Sequence, residues 1–253
     1  MSSQIAEPVA FFRIMHDGFG WTLTAGRDRP DLIDAVTAQA FDLFERNVAI
    51  QTEGLPVLAC HKGCPACCCI RVTATAPEIF LLATYVRRVG ASPNGAALDL
   101  LGRIAKADQA GRGLDERQRM AAQCICPFIL KGICIIHPVR PLACRSLASF
   151  DKNACADAAA GVPVDVPLSE PHAFMRSMVQ NALQSALRER GYAWRAYELN
   201  HALLLALTRP EGEAEWCQGN DPLAAALVSD TDWQAVAATV DEVLRASPSS
   251  SGS

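Results

Sequence analysis

Apolar residues recur at helical spacing along most of this chain. Leu32, Val36, Ala40, Phe44 and Val48 form one stripe behind Pro30 and Asp31, both good helix-start residues, and Gly54 and Pro56 close the segment near Thr52. Thr75-Ala76-Pro77-Glu78 opens a second helix, with Thr75 as N-cap and Glu78 placed as in a capping box. Ile79, Leu82, Ala83 and Val86 give it a buried face, and Gly90 ends it. The pattern predicts further helices over Asn94–Lys106 and Asp115–Gln123. After an extended linker set by Pro163 and Pro167, Phe174, Met178, Ala182, Leu183, Ala186 and Leu187 make an amphipathic helix, with Met175 and Met178 as core residues. Tyr197–Thr208, Asp221–Val228 and Asp232–Arg245 are expected to follow as helices.

Two short stretches break the helical period. Ile70–Thr73 reads as extended, and Phe128–Ile136 as a hairpin turning at Lys131-Gly132. Arg140–Arg145 reads as a turn leading into a short helix. Residues 1–30 scatter Phe11, Phe12, Phe19 and Trp21 among Gly18, Gly20 and Gly26, which predicts irregular structure packed on the body; His16-Asp17 reads as a surface or capping pair. The Ser-rich ending, 247–253, reads as a disordered tail. The expected fold is mainly α: one irregular helical domain over 1–246 with a small β-hairpin, a cysteine-bearing core at 55–160 and a helical region at 170–246.

At 253 residues the chain can bury an ordinary core and needs no staple for stability alone. Half of it is hydrophobic and the net charge is −4, with no long basic run to attract nucleic acid or an anionic membrane. Its longest apolar runs are too short to span a bilayer, and the N-terminus shows no signal peptide. These features predict a cytoplasmic protein.

The cysteines change the picture. Cys60-His61-Lys62-Gly63-Cys64-Pro65-Ala66-Cys67-Cys68-Cys69 places five thiols in ten residues. Packing does not require this, since Ala, Val or Leu supply apolar volume equally well; a thiolate also binds soft or borderline metals and attacks electrophiles. The Cys64-x-x-Cys67 spacing suits chelation. Cys67 and Cys68 are neighbours, so their sulfurs aim in different directions, which favours more than one metal or a polynuclear cluster. A disulfide scaffold would be the other use of eleven cysteines, but the odd count, the length and the crowding in one loop oppose it.

A second set follows at Cys124, Cys126, Cys134, Cys144 and Cys155. Its motifs are Cys126-Pro127-Phe128-Ile129, Gly132-Ile133-Cys134-Ile135-Ile136-His137, Arg140-Pro141-Leu142-Ala143-Cys144-Arg145 and Ser149-Phe150-Asp151 ahead of Cys155. With the first loop and Ala74-Thr75-Ala76-Pro77-Glu78, this order over residues 55–160 resembles the YkgJ-type cysteine-cluster family, described as zinc- or iron-chelating proteins. His137 stands where that family usually has Tyr, and Cys69 extends its double cysteine to a triple. The resemblance implies metal chelation by Cys60, Cys64, Cys67, Cys68, Cys126, Cys134, Cys144 and Cys155. Eight thiolates suffice for two four-sulfur sites, or for an iron–sulfur cluster, with 4Fe-4S favoured, plus spare thiols. Cys69, Cys124 and Cys217 fall outside the motif and are expected in the core.

Four thiolates on a divalent ion leave about two negative charges, which buried sites offset with amide donors and cations. Arg140 and Arg145, flanking Cys144, are expected in that supporting role; Lys62 and Arg71 read as surface charge. With eight cysteines, His61 is surplus as a ligand, and His137 is expected to pack beside the site. Three functions of different class stay open. The first is an iron–sulfur protein with a redox or electron-transfer role, an oxidoreductase component with a redox protein partner. The second is a zinc-binding structural or chelating module without catalysis. The third, a Cys64-x-x-Cys67 redox dithiol, leaves most of the other cysteines unexplained.

Overall fold

The computed structural model describes residues 3–246; the expected tail at 247–253 lies outside them. Of the expected fold, the mainly helical class with a small hairpin is what the structure shows. The N-terminal region is the largest correction: it is a long helix, α1 (Ser3–Ala25), not irregular structure. Phe12, Met15, His16, Phe19 and Leu23 are buried along one face of it. The glycines misread as breakers mark close contacts instead. A Cβ on Gly20 would stand 2.9 Å from Arg190 Nη2, and one on Gly18 would stand 3.1 Å from Gln39 Nε2. His16, expected at the surface, is buried with its Nε2 2.9 Å from Glu189 Oε2.

α2 (Leu32–Gln51) buries the predicted stripe from Leu32 to Val48. β1 (Thr73–Thr75) starts at the end of the expected extended segment and runs into α3 (Ala76–Gly90). The helix predicted over 94–106 is split into α4 (Pro93–Ala96) and α5 (Leu100–Gly111). Asp99 sits between them at φ +42°, where its carboxylate accepts from Gly102 N at 3.2 Å, so this side chain caps a new helix instead of continuing an old one. α6 (Glu116–Ala121) follows as expected.

The hairpin is β2 (Ile129–Leu130) and β3 (Ile133–Cys134), antiparallel with Ile129 opposite Cys134. Lys131 and Gly132 turn at φ +49° and +79°, both left-handed, the geometry that matches strand twist in two-residue loops. α7 (Leu142–Arg145) is the expected short helix, and α8 (Lys152–Ala159) was not foreseen; Asp151 caps it by accepting from Asn153 N at 2.7 Å and Ala154 N at 3.1 Å.

α9 (Glu170–Glu189) is the central helix, packed on α1 and α2. Phe174, assigned to its buried face, is exposed; Met175 takes the core position and Met178 is partly buried. β4 (Ala196–Glu198) pairs antiparallel with β1, and α10 (Leu199–Thr208) begins only after it. α11 (Gly212–Cys217) was also not foreseen. The helix expected over 221–228 is reduced to one 3-10 turn at Ala224–Ala226. Asp221 instead accepts from Tyr197 Oη at 2.9 Å and Arg195 at 3.1 Å, and Val228 N donates to Ala196 O, so the segment is laid along β4. α12 (Trp233–Arg245) closes the described chain.

One buried carboxyl group connects the two cysteine-bearing regions. Glu78, 1% exposed, accepts from Thr75 N and Thr75 Oγ1 through Oε2 and from Leu142 N through Oε1, each at 2.8 Å. It thus caps α3, just after the first cysteine loop, and α7, which carries Cys144. Replacing Glu78 by Ala leaves two buried N–H groups without acceptors, at about 1–3 kcal/mol each, so E78A should lose roughly 2–6 kcal/mol. A urea unfolding curve checks this; a midpoint equal to wild type contradicts it.

Candidate metal centre

The first cysteine loop lies between α2 and β1 and is folded by local turns: Cys64 N donates to His61 O at 3.1 Å, and Cys68 N to Pro65 O at 2.8 Å. Gly63, at φ +90°, packs against the hairpin turn; a Cβ there would come 3.9 Å from Gly132 O, and one on Gly132 would come 3.7 Å from Gly63 O. A cross-link between the two cysteine regions follows, with Cys126 N donating to Cys68 O at 2.7 Å. Cys60 is tied to the Ser149 motif: Ser149 N donates to its sulfur at 3.3 Å, and Ala59 N donates to Ser149 O at 2.9 Å.

All eleven cysteines are free thiols. Mutual electrostatic influence sorts those of the motif into two overlapping groups. Cys67, Cys68, Cys126, Cys134 and Cys144 act on one another, while Cys60 feels Cys67, Cys155 and Cys64. All eight sequence-predicted positions are thus linked by charge effects, directly or through Cys60, across the first loop, the 126–134 segment, α7 and α8. The thiols converge without closing on a point: among the described residues, no group of three or more His, Cys, Asp or Glu is placed to hold a metal ion.

Their protonation is graded. The Cys68 thiol donates to the Cys67 sulfur, and with Cys67's own backbone N–H and the charge of Arg140 it lowers Cys67 to about 7 against the effect of burial. The same bond, then burial, pushes Cys68 up. Burial raises Cys126 to about 11 and drives Cys144 and Cys134 upward. Two sulfurs receive a backbone N–H from two residues ahead, Cys126 from Phe128 and Cys134 from Ile136. Such donors favour thiolate and offset its charge.

Arg140 is the cation of this patch. Its charge acts on Cys67, Cys134 and Cys144, and its Nε is buried without a hydrogen-bond partner. Arg145 does something different from the direct supporting role expected of it. It binds Glu45, lies 3.9 Å over the Phe41 ring, and donates to Arg140 O and Pro138 O at 2.8 Å each. It positions the segment that carries Arg140. Glu45 and Phe41 were missed because both sit on α2, and only folding brings them to the motif. Ser149 belongs to the last of the four motifs, but its grip on Cys60 has no signal in the sequence.

His61 is exposed, its Nδ1 3.0 Å from Lys62 O, and His137 is exposed instead of packed. Arg71 pairs with Asp230 at 2.6 Å. Cys69 is buried as expected, with its thiol donating to Ala66 O at 3.4 Å. Cys124 and Cys217 are only half-buried, a correction to their core assignment. No family model, curated protein or solved structure matches the chain.

The gradation of acidity gives a direct expectation. In the reduced, metal-free protein, Cys67 should be alkylated first by iodoacetamide, with a rate midpoint near pH about 7, because it is both exposed and the most acidic thiol of its group. Cys126 and Cys144 should stay unmodified at that pH. Peptide mapping after a timed pulse checks this, and equal labelling of Cys67 and Cys144 contradicts it.

Proposed function

We propose that this chain is a metal-chelating protein of the YkgJ type whose clustered cysteines hold an iron–sulfur cluster for a redox or electron-transfer role. The observation that carries the reading is the gathering, from three separate segments, of five mutually interacting thiols around one arginine. Packing does not require thiols, and once ionised these sulfurs would repel one another, so the arrangement suits a positive occupant. The donor set fits such a group. It offers soft sulfur ligands, backbone N–H donors at Cys126 and Cys134, and Arg140 with a buried, unpartnered Nε.

Cys67, Cys68, Cys126, Cys134 and Cys144 would supply the inner ligands; Cys60, Cys64 and Cys155 would supply an outer set or a second site. An iron–sulfur cluster would contribute one-electron transfer, and a redox protein would be the partner. The chain's own residues bury the sulfurs only in part, fix two of them by backbone donors and place Arg140 to offset their charge. Zinc is the second reading, favoured by the overlap of two groups that each hold at least four thiols, enough for closed tetrahedral sites without chemistry of their own. Among the described residues no helix is long and apolar enough to cross a membrane.

Metal analysis and an absorption spectrum of protein purified without oxygen separate the readings: iron with matching sulfide and a broad band near ~400 nm for the cluster, colourless protein with zinc for the alternative. Cys67→Ser and Cys144→Ser should each lose metal and loosen residues 60–155. Full metal stoichiometry with wild-type melting in both variants contradicts the assignment.

The thiol acidities also fix the pH dependence. Cys126, at about 11, and the raised Cys144 are protonated at neutral pH, so metal must expel their protons, and apparent affinity must rise with pH. Chelator competition between pH 6 and 8 should show roughly a tenfold gain per pH unit for each proton released. An affinity independent of pH over that range contradicts ligation by these two thiols.

A further inference from the structure

Away from the thiols, a cleft of about 410 Å³ opens between α9, β1 and the start of α12. Its α9 wall is a polar stripe, Arg176, Gln180 and Gln184 at successive helical turns with Asn181 alongside. Thr73 and Arg71 form the opposite wall, and Trp233 closes one side with its indole pinned by a 2.9 Å bond to Val228 O.

The charges in the cleft do not cancel. Arg71 is paired with Asp230, but among the described residues no carboxylate lies within ion-pair distance of Arg176. Arg176 is held, not loose: Nε donates to Gln180 Oε1 at 3.3 Å, and Nη2 reaches Thr73 Oγ1 at 3.5 Å. Its Nη1 makes no hydrogen bond with a described residue. A half-buried guanidinium fixed by neutral partners, beside amides and an aromatic wall, is the composition of a site for a small anion.

We propose that this cleft binds a small organic carboxylate, with Arg176 as its anchor and the Gln180 and Asn181 amides as further hydrogen-bond partners. Carboxylate suits the fork geometry of guanidinium, and a volume of about 410 Å³ beside Trp233 leaves room for a carbon chain beyond the charged end. The site stands independently of the metal reading. It is nonetheless close to the cysteine loop: Thr73 is four residues past Cys69, so their Cα atoms are at most about 14 Å apart.

Glutarate, with uncharged glutaramide as its shape-matched control, tests the proposal on the full chain by the Trp233 indole N–H resonance and by calorimetry. Saturable one-to-one binding of glutarate at millimolar concentration or better, with none by glutaramide, is the expected result. Arg176→Gln should weaken it by about tenfold or more and Arg176→Lys by less. Asn181→Leu, which narrows the cleft without altering charge, should also weaken binding and covers the case in which R176Q does not fold. No saturable response at millimolar glutarate, equal binding of glutaramide, or unchanged affinity in both R176Q and N181L overturns the proposal.

Discussion

The cysteine patch depends on one buried carboxyl group. Glu78 accepts hydrogen bonds from Thr75 and from Leu142 N, and so fixes the end of the first cysteine loop against the helix bearing Cys144. Both helix starts are in the protein interior, where an unsatisfied N–H is costly, and one side chain serves both. The remaining ties are also backbone-directed: Cys126 N to Cys68 O, and the paired Ser149 contacts at Cys60. Local turns give each segment its shape, and these long-range bonds bring the segments together.

Holding the thiols in one patch opposes their ionisation. Desolvation and mutual repulsion push Cys126, Cys134 and Cys144 upward, and only Cys67 is brought low, by the Cys68 thiol and the Arg140 charge. A bound cation would relieve that repulsion, which is the basis of the proposed metal role. Arg140 offsets part of the negative charge that ionisation would create, and Arg145 positions it through Glu45, Phe41 and two carbonyls. The arginine pair thus divides into one residue that acts on the sulfurs and one that braces the loop.

Helices with an uninterrupted apolar stripe were legible in the sequence, as α2, α3 and α9 show, and so was the hairpin, because Lys131-Gly132 carries its own turn chemistry. α1 was not, because glycine signals both breaks and close helix contacts, and only the Arg190 and Gln39 neighbours distinguish them. The segment at 221–228 has helical composition, but Asp221 is held by Tyr197 and Arg195. Tertiary bonding overrode propensity there. At the candidate site, the cysteine positions and Arg140 came from the motif order. Glu45, Phe41 and Ser149 did not, since their roles exist only once α2 and the Ser149 bridge are folded against the patch.

The central claim is that the thiols are ligands. X-ray absorption at the iron and zinc edges, on protein isolated without oxygen, reads the ligand shell directly. The account predicts a metal surrounded by sulfur, at about 2.3 Å if it is zinc, with no oxygen or nitrogen neighbours in the inner shell. A shell dominated by oxygen or nitrogen, or protein that carries only trace metal after anaerobic isolation, would contradict it.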